Sequence, residues 1–132
     1  DTDMIIACAA VADYKVANCA PQKIKKNAER ITLELTKNPD IISTVKQKFP
    51  ELISIGFAAE TENVIEHAKI KLKAKNLNAI IANDVSEQQV FNQSTTKVSI
   101  IERKGTIHEF SGSKNQVAEQ IFEYLESLLC RI

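Results

Sequence analysis

Glycine and proline are scarce, three of each in 132 residues, and no low-complexity tract, internal repeat or interdomain linker is visible. With 44% hydrophobic residues the chain has instead the size and composition of one compact domain, residues 1–132, with a core of its own. An excess of one charge is also lacking. The 17 basic and 17 acidic residues cancel, so nothing announces a polyanionic partner such as DNA, and any anion site has to be local. Cysteine is limited to Cys8, Cys19 and Cys130, an odd count with no C-x-x-C and no nearby histidine pair. That argues against a disulfide framework or a zinc site and fits a reducing cytoplasm. The longest apolar stretch, Met4 to Ala12, is too short to span a bilayer, and no basic segment precedes it as in a signal peptide. A membrane is therefore not an expected partner. Asp1 opens the chain without a methionine and leads almost at once into an apolar run, so a fragment of something longer is expected.

What is present alternates between strand and helix signals. Met4 to Ala9 is a continuous apolar run between Asp3 and Asp13, the pattern of a strand buried on both faces of a parallel sheet. A basic loop follows, and then Ile31, Leu33 and Leu35 alternate with polar residues as in a half-buried strand. Asn38-Pro39-Asp40 supplies an N-cap, a proline suited to the first helical position and an early acid, predicting a helix from Pro39 to about Lys48 with Ile41, Ile42 and Val45 inward. Leu52 to Ala59 reads as a strand, Glu62 to Lys75 as an amphipathic helix, and Ala79 to Ala82 as a short buried strand. Lys97 to Arg103 and Thr106 to Phe110 flank Lys104-Gly105, a hairpin turn, and Val117, Ile121, Tyr124, Leu125 and Leu128 form the stripe of a closing helix. The expected fold is α/β: a Rossmann-like three-layer arrangement with a mainly parallel sheet and an antiparallel hairpin extension.

Several segments could carry chemistry, each with a plain structural alternative. Ala9-Ala10-Val11-Ala12-Asp13-Tyr14 ends a strand in small residues and then presents an acid, which suits a nucleotide at the carboxyl end of a strand; equally, Asp13 could cap a turn. Lys23-Ile24-Lys25-Lys26 could neutralise a triphosphate, although short lysine clusters are usually solvated surface. The start of a helix at Asn38-Pro39-Asp40-Ile41 offers unpaired amides, and capping explains the residues as well. Phe57 could stack on a base or sit in the core. Lys71 and Lys75, four apart, share a helical face and could reach one phosphate chain, or could relieve the helix dipole without a ligand. Asn83-Asp84 could orient a ligand or form a turn. His67, His108 and the cysteines have no partner spacing that recommends catalysis.

The order of these segments is distinctive: A-A-V-A-D-Y, K-I-K-K, K-N-P-D-I, G-F-A-A-E-T, a lysine-bearing helix, and A-N-D-V. In that succession the chain resembles the phosphopantothenoylcysteine synthetase family along essentially its whole length. In bacteria this activity is commonly the C-terminal half of a bifunctional flavoprotein of coenzyme A biosynthesis. The resemblance implies a multifunctional, cytoplasmic, dimeric ligase. Its reaction joins 4'-phosphopantothenate to L-cysteine: the carboxylate attacks the α-phosphate of CTP, giving an acyl-cytidylate and pyrophosphate, and the cysteine amine then displaces CMP. Mg²⁺ would accompany CTP, and FMN would belong only to a separate decarboxylase domain. Carried over residue by residue, the resemblance places Ala7, Cys8 and Ala9 along the nucleotide with Asp13 beside them. It makes Lys23 the catalytic residue, Asn38, Pro39, Asp40 and Ile41 one wall of the CTP pocket, Phe57 another, and Lys71 and Lys75 the holders of the triphosphate. The loop after Lys23, through about Arg30, resembles a flap over the intermediate. No metal-ligating residue is assigned.

One departure from the family is evident. The family's opening strand, glycine-rich turn and asparagine-bearing segment have no counterpart here, so the chain is expected to be the C-terminal part of a synthetase domain. A different class of function is then open: a nucleotide-binding or dimerisation module without turnover. A nucleic-acid-binding domain is disfavoured by the neutral charge.

Overall fold

Apolar residues at periods of two and of about 3.6 sort the chain into strands and helices that bury one another. The structure, a computed structural model, describes residues 2–25, 29–86 and 95–130. In chain order its elements are β1 (Met4–Ala7), β2 (Tyr14–Val16), β3 (Leu35–Lys37), α1 (Ile41–Lys48), β4 (Ile53–Glu60), α2 (Val64–Ala74), β5 (Ala79–Asp84), β6 (Thr95–Glu102), β7 (Ile107–Ser113) and α3 (Lys114–Leu129). The main sheet has the order β1-β4-β5-β6-β7. β1, β4 and β5 run parallel, and β6 and β7 add an antiparallel extension. Gly105 has a φ of +96° in the turn of that hairpin, a conformation other residues rarely adopt.

Strand alternation divides the core between the two faces of the sheet. Ile53, Ile55, Ala79, Ile81, Val98 and Ile100 meet Val117, Ile121, Tyr124 and Leu125 of α3 on one face. On the other, Ala58, Ile80, Ala82 and Ile101 meet Ile42 of α1 and Ala68 and Leu72 of α2. The result is the expected three layers. Each fully buried isoleucine contributes about 1.5–3 kcal/mol relative to an exposed one. α3 begins with a capping box in which Ser113 Oγ accepts from Gln116 N–H and Gln116 Oε1 accepts from Ser113 N–H, so its first turn is fixed before the apolar stripe begins. Among the described residues no helix is long and apolar enough to cross a membrane.

Several expectations are corrected. β1 ends at Ala7 rather than Ala9, and it is an edge strand only partly buried, because among the described residues β4 is its one neighbour. The alternating segment around Leu33 forms only the short β3, paired with β2 in a separate two-stranded sheet; Ile31, Leu33 and Leu35 alternate as a half-buried strand would, but each is more than half exposed because no core faces them. β2 lies inside the stretch read as a loop. α1 is capped by Asp40 rather than Asn38, since the Asp40 carboxylate accepts from Ser43 N–H at 3.1 Å. Ile41 therefore points outward, 57% exposed, and the buried positions of α1 are Ile42 and Lys46.

Candidate functional site

Where β1 ends, the chain stays in small residues from Ala7 to Ala12 and folds tightly, with Val11 N–H bonded to Ala9 O at 3.0 Å. Asn38 fastens this loop to the start of α1. Its Nδ2 donates to Ala12 O at 2.8 Å and its backbone N–H to Asp13 O at 2.8 Å. Between them and the carboxyl half of β4 opens a cleft of about 630 Å³. Ala7, Cys8, Ala9 and Asp13 line one side, Asn38, Pro39, Asp40 and Ile41 a second, and Gly56 and Phe57 the floor, while Lys71 and Lys75 reach in from α2. Gly56 is required for this packing: a Cβ there would lie 2.7 Å from Leu77 Cδ1, a side chain that is itself fully buried.

The cleft's cations are both engaged by carboxylates. Lys75 Nζ is 3.1 Å from Asp40 Oδ2 on the opposite wall. Burial would raise the Asp40 carboxyl, but the Ser43 N–H and the Lys75 ammonium outweigh it and hold it below the ordinary carboxylate value. Lys71 Nζ is 2.6 Å from Glu60 Oε1, and His67 Nδ1 lies 3.5 Å from Glu60 Oε2. Among the described residues the Asp13 carboxylate has no side-chain partner. No cluster of three or more His, Cys, Asp or Glu able to hold a metal ion occurs among the described residues.

All the residues expected to contact the nucleotide line this one cleft except Lys23. Lys23 sits on an exposed segment outside it. Of its cluster, Lys26 lies outside the described residues, as does part of the expected flap, residues 26–28. Asn83 and Asp84 end β5 itself instead of following it. Asn83 Oδ1 accepts from Thr96 Oγ1 at 3.5 Å, and Asp84 Oδ1 accepts from Ser86 N–H at 2.9 Å, which lowers that carboxyl's pKa and matches the turn reading. A larger depression, about 1000 Å³, lies at the amino ends of β1 and β4 and is lined by residues such as Met4, Phe49 and Leu52. Ligands of open α/β sheets gather at the carboxyl ends of strands, so the smaller cleft is the candidate site.

Comparison with known proteins agrees on the lineage. The family model described as the DNA/pantothenate metabolism flavoprotein C-terminal domain matches residues 1–129. The chain belongs to that family. Among curated relatives, the coenzyme A biosynthesis bifunctional protein CoaBC of Haemophilus influenzae is 46% identical over 127 residues, covering 93% of this chain and 31% of the relative. The Escherichia coli K12 protein of the same name is 44% identical over 110 residues, 78% of this chain and 27% of the relative. The chain thus spans about a third of the length of the curated relatives it matches. The solved C-terminal domain of a CoaBC protein superposes with a TM-score of 0.75 at 32% identity, covering 98% of this chain and 56% of the other. A DNA/pantothenate metabolism flavoprotein from Streptococcus pneumoniae has a TM-score of 0.78 at 24% identity, covering 97% and 64%, and shares the fold.

Two features beside the cleft have no single-residue signal in the sequence. Glu60 stands in the G-F-A-A-E-T segment with no role of its own, yet its carboxylate pairs with Lys71. His67, which has no partner spacing that recommends catalysis, stands one helical turn before Lys71 and faces the same carboxylate. The i, i+4, i+8 spacing of His67, Lys71 and Lys75 on α2 was the signal that could have joined them.

Proposed function

We propose that the cleft binds CTP, and that in the whole protein this domain carries the CTP-dependent ligation of 4'-phosphopantothenate with L-cysteine in coenzyme A biosynthesis. The convergence of separated motifs on one cleft supports the reading. Residues 7–13, 38–41, 57, 71 and 75 come from four parts of the chain and meet at the carboxyl ends of β1 and β4. A volume of about 630 Å³ is in the range of small-molecule sites. Small side chains along Ala7 to Ala12 let a sugar or base approach the backbone, Phe57 offers a ring to stack on, and the ammonium groups of Lys71 and Lys75 face a phosphate chain. Relatives named for coenzyme A biosynthesis support the assignment.

In this reading the domain acts by alignment and charge stabilisation, with no residue covalently attached. Lys23 would meet the reacting phosphates, a role that requires its Nζ to come to the cleft. Asp40 is taken up by Ser43 N–H and Lys75, and Asp13 alone cannot hold a resident ion, but its carboxylate suits Mg²⁺ that arrives on the triphosphate, since magnesium is commonly bound by one or two carboxylates plus phosphate oxygens. The ion would neutralise phosphate charge. The exposed Tyr14, Ile31, Leu33 and Leu35 of the β2–β3 arm are proposed as a homodimer contact. With relatives about three times longer, fusion to an FMN-dependent decarboxylase domain and a cytoplasmic location complete the proposal.

A second reading, a nucleotide-binding or dimerisation module without turnover, is favoured by the position of Lys23 outside the cleft. Calorimetric titration with CTP and then ATP, each with Mg²⁺, tests the first. Saturable binding that prefers CTP supports the pocket, and no binding by a folded sample refutes it. Release of pyrophosphate on adding 4'-phosphopantothenate, abolished by Lys23→Gln, separates the ligase from the module.

A further inference from the structure

Resting on the polyphosphate reading of the cleft, we propose that Glu60 is a counter-ion that sets its anion affinity by competing with the phosphate chain for Lys71. Lys71 projects from α2 toward the helix N-terminus, as helical side chains do, and that direction brings its Nζ to Glu60 at the carboxyl end of β4. The Glu60 side chain is only 13% exposed, whereas that of Lys71 is 48% exposed. The carboxylate is therefore poorly screened, and the more exposed ammonium has room to turn between Glu60 and the cleft it lines. His67 Nδ1, 3.5 Å from the other carboxylate oxygen, leaves Glu60 a second neighbour when Lys71 departs.

The Asp40–Lys75 pair is a weaker version of the same arrangement. Both of its side chains are more than a third exposed, and Asp40 is committed to capping α1. Charge bookkeeping gives the consequence: Asp13, Asp40 and Glu60 face Lys71 and Lys75, so an arriving polyphosphate meets cations already engaged by carboxylates. Removing the Glu60 charge frees Lys71 for the anion, while Glu60 itself, 13% exposed, is not among the residues that line the cleft. Glu60 is thus a positioning residue that acts through Lys71.

The test is calorimetry on the whole protein with tripolyphosphate, Mg·CTP and cytidine, comparing wild type, Glu60→Gln, Lys71→Met and the double variant at fixed pH and ionic strength. Glu60→Met, apolar and of similar length, stands in if the amide variant loses cooperative melting. Expected is a gain of about three- to tenfold in tripolyphosphate affinity for Glu60→Gln, no change for cytidine, and no gain on the Lys71→Met background. Unchanged or weakened tripolyphosphate binding in Glu60→Gln overturns the inference, as does a gain that survives in Lys71→Met. Tripolyphosphate binding with that pattern but no CTP binding sinks the nucleotide reading and leaves the inference standing. CTP binding of equal strength in wild type and Glu60→Gln does the reverse, and a wild type that binds neither overturns both.

Discussion

Replacing Lys46 by methionine is expected to destabilise the domain by about 2–4 kcal/mol, although the residue looks like an ordinary surface lysine of a short helix. Lys46 is 7% exposed. Its Nζ donates to Pro50 O at 2.7 Å, Leu52 O at 2.7 Å and Asn78 Oδ1 at 3.1 Å, joining the end of α1 to the starts of β4 and β5. Asn78 Oδ1 keeps other donors, Ser54 N–H at 3.0 Å and Ser54 Oγ at 3.2 Å, so the loss falls mainly on the two carbonyls. Methionine fills much of the same volume, which leaves the lost donors as the main effect. Among the described residues no carboxylate forms an ion pair with Lys46. Burial lowers its pKa first, the Arg103 charge adds to this, and Glu51 offsets part. The folded state therefore binds fewer protons than the unfolded one between the lowered value and the ordinary lysine range. Stability conferred on the wild type rises with pH across that window, and Lys46→Met removes the rise. Thermal melting of the two proteins from pH 7 to 10 measures both effects. A fall in Tm of about 10 °C at pH 7 is expected for a chain of this size, and a change below about 2 °C refutes the reasoning.

Asp40→Ala removes a helix cap and the partner of Lys75; urea unfolding at pH 7 should show a loss of about 1 kcal/mol, most of it the cap because the ion pair is exposed. Since folding depresses the Asp40 carboxyl, its contribution is present above the ordinary carboxylate range and disappears as pH falls through the folded value, so wild type and variant should converge in acid. Asn38→Ala loses the bond to Ala12 O, and amide exchange in residues 8–13 should accelerate while β5 and β6 stay protected. Gly56→Val forces atoms against the buried Leu77, costing about 1–3 kcal/mol by chemical denaturation, and weakens nucleotide binding because the same residue floors the cleft.

Much of this architecture was legible because burial imposes a period on the sequence. β4, β5, the β6–β7 hairpin and α3 have alternation or stripes that match a covered face, and their limits shift by only a few residues. The β2–β3 arm escaped because its alternation faces no core in this chain, and β1 because an apolar run does not reveal whether one or two neighbours flank it. Asn38 was misplaced for a local reason: Asn and Asp both cap helices, and only the fold shows that Asn38 is drawn off to Ala12 and Asp13. The cleft's members could be named from motif order, but their pairing could not. The ion pair of Lys71 with Glu60 and the hydrogen bonds from Lys46 to three acceptors join residues that only tertiary structure brings together.

The central claim, that a nucleotide occupies the cleft at the carboxyl ends of β1 and β4, is tested most directly by amide chemical-shift mapping of the isotope-labelled protein titrated with Mg·CTP. Saturating shifts concentrated in residues 7–13, in Asn38, Asp40 and Ile41, in residues 56–57 and in the last turn of α2 are the expected result. Shifts centred instead on Met4, Phe49 and Leu52 at the opposite end of the sheet, or no shifts at all, would contradict it.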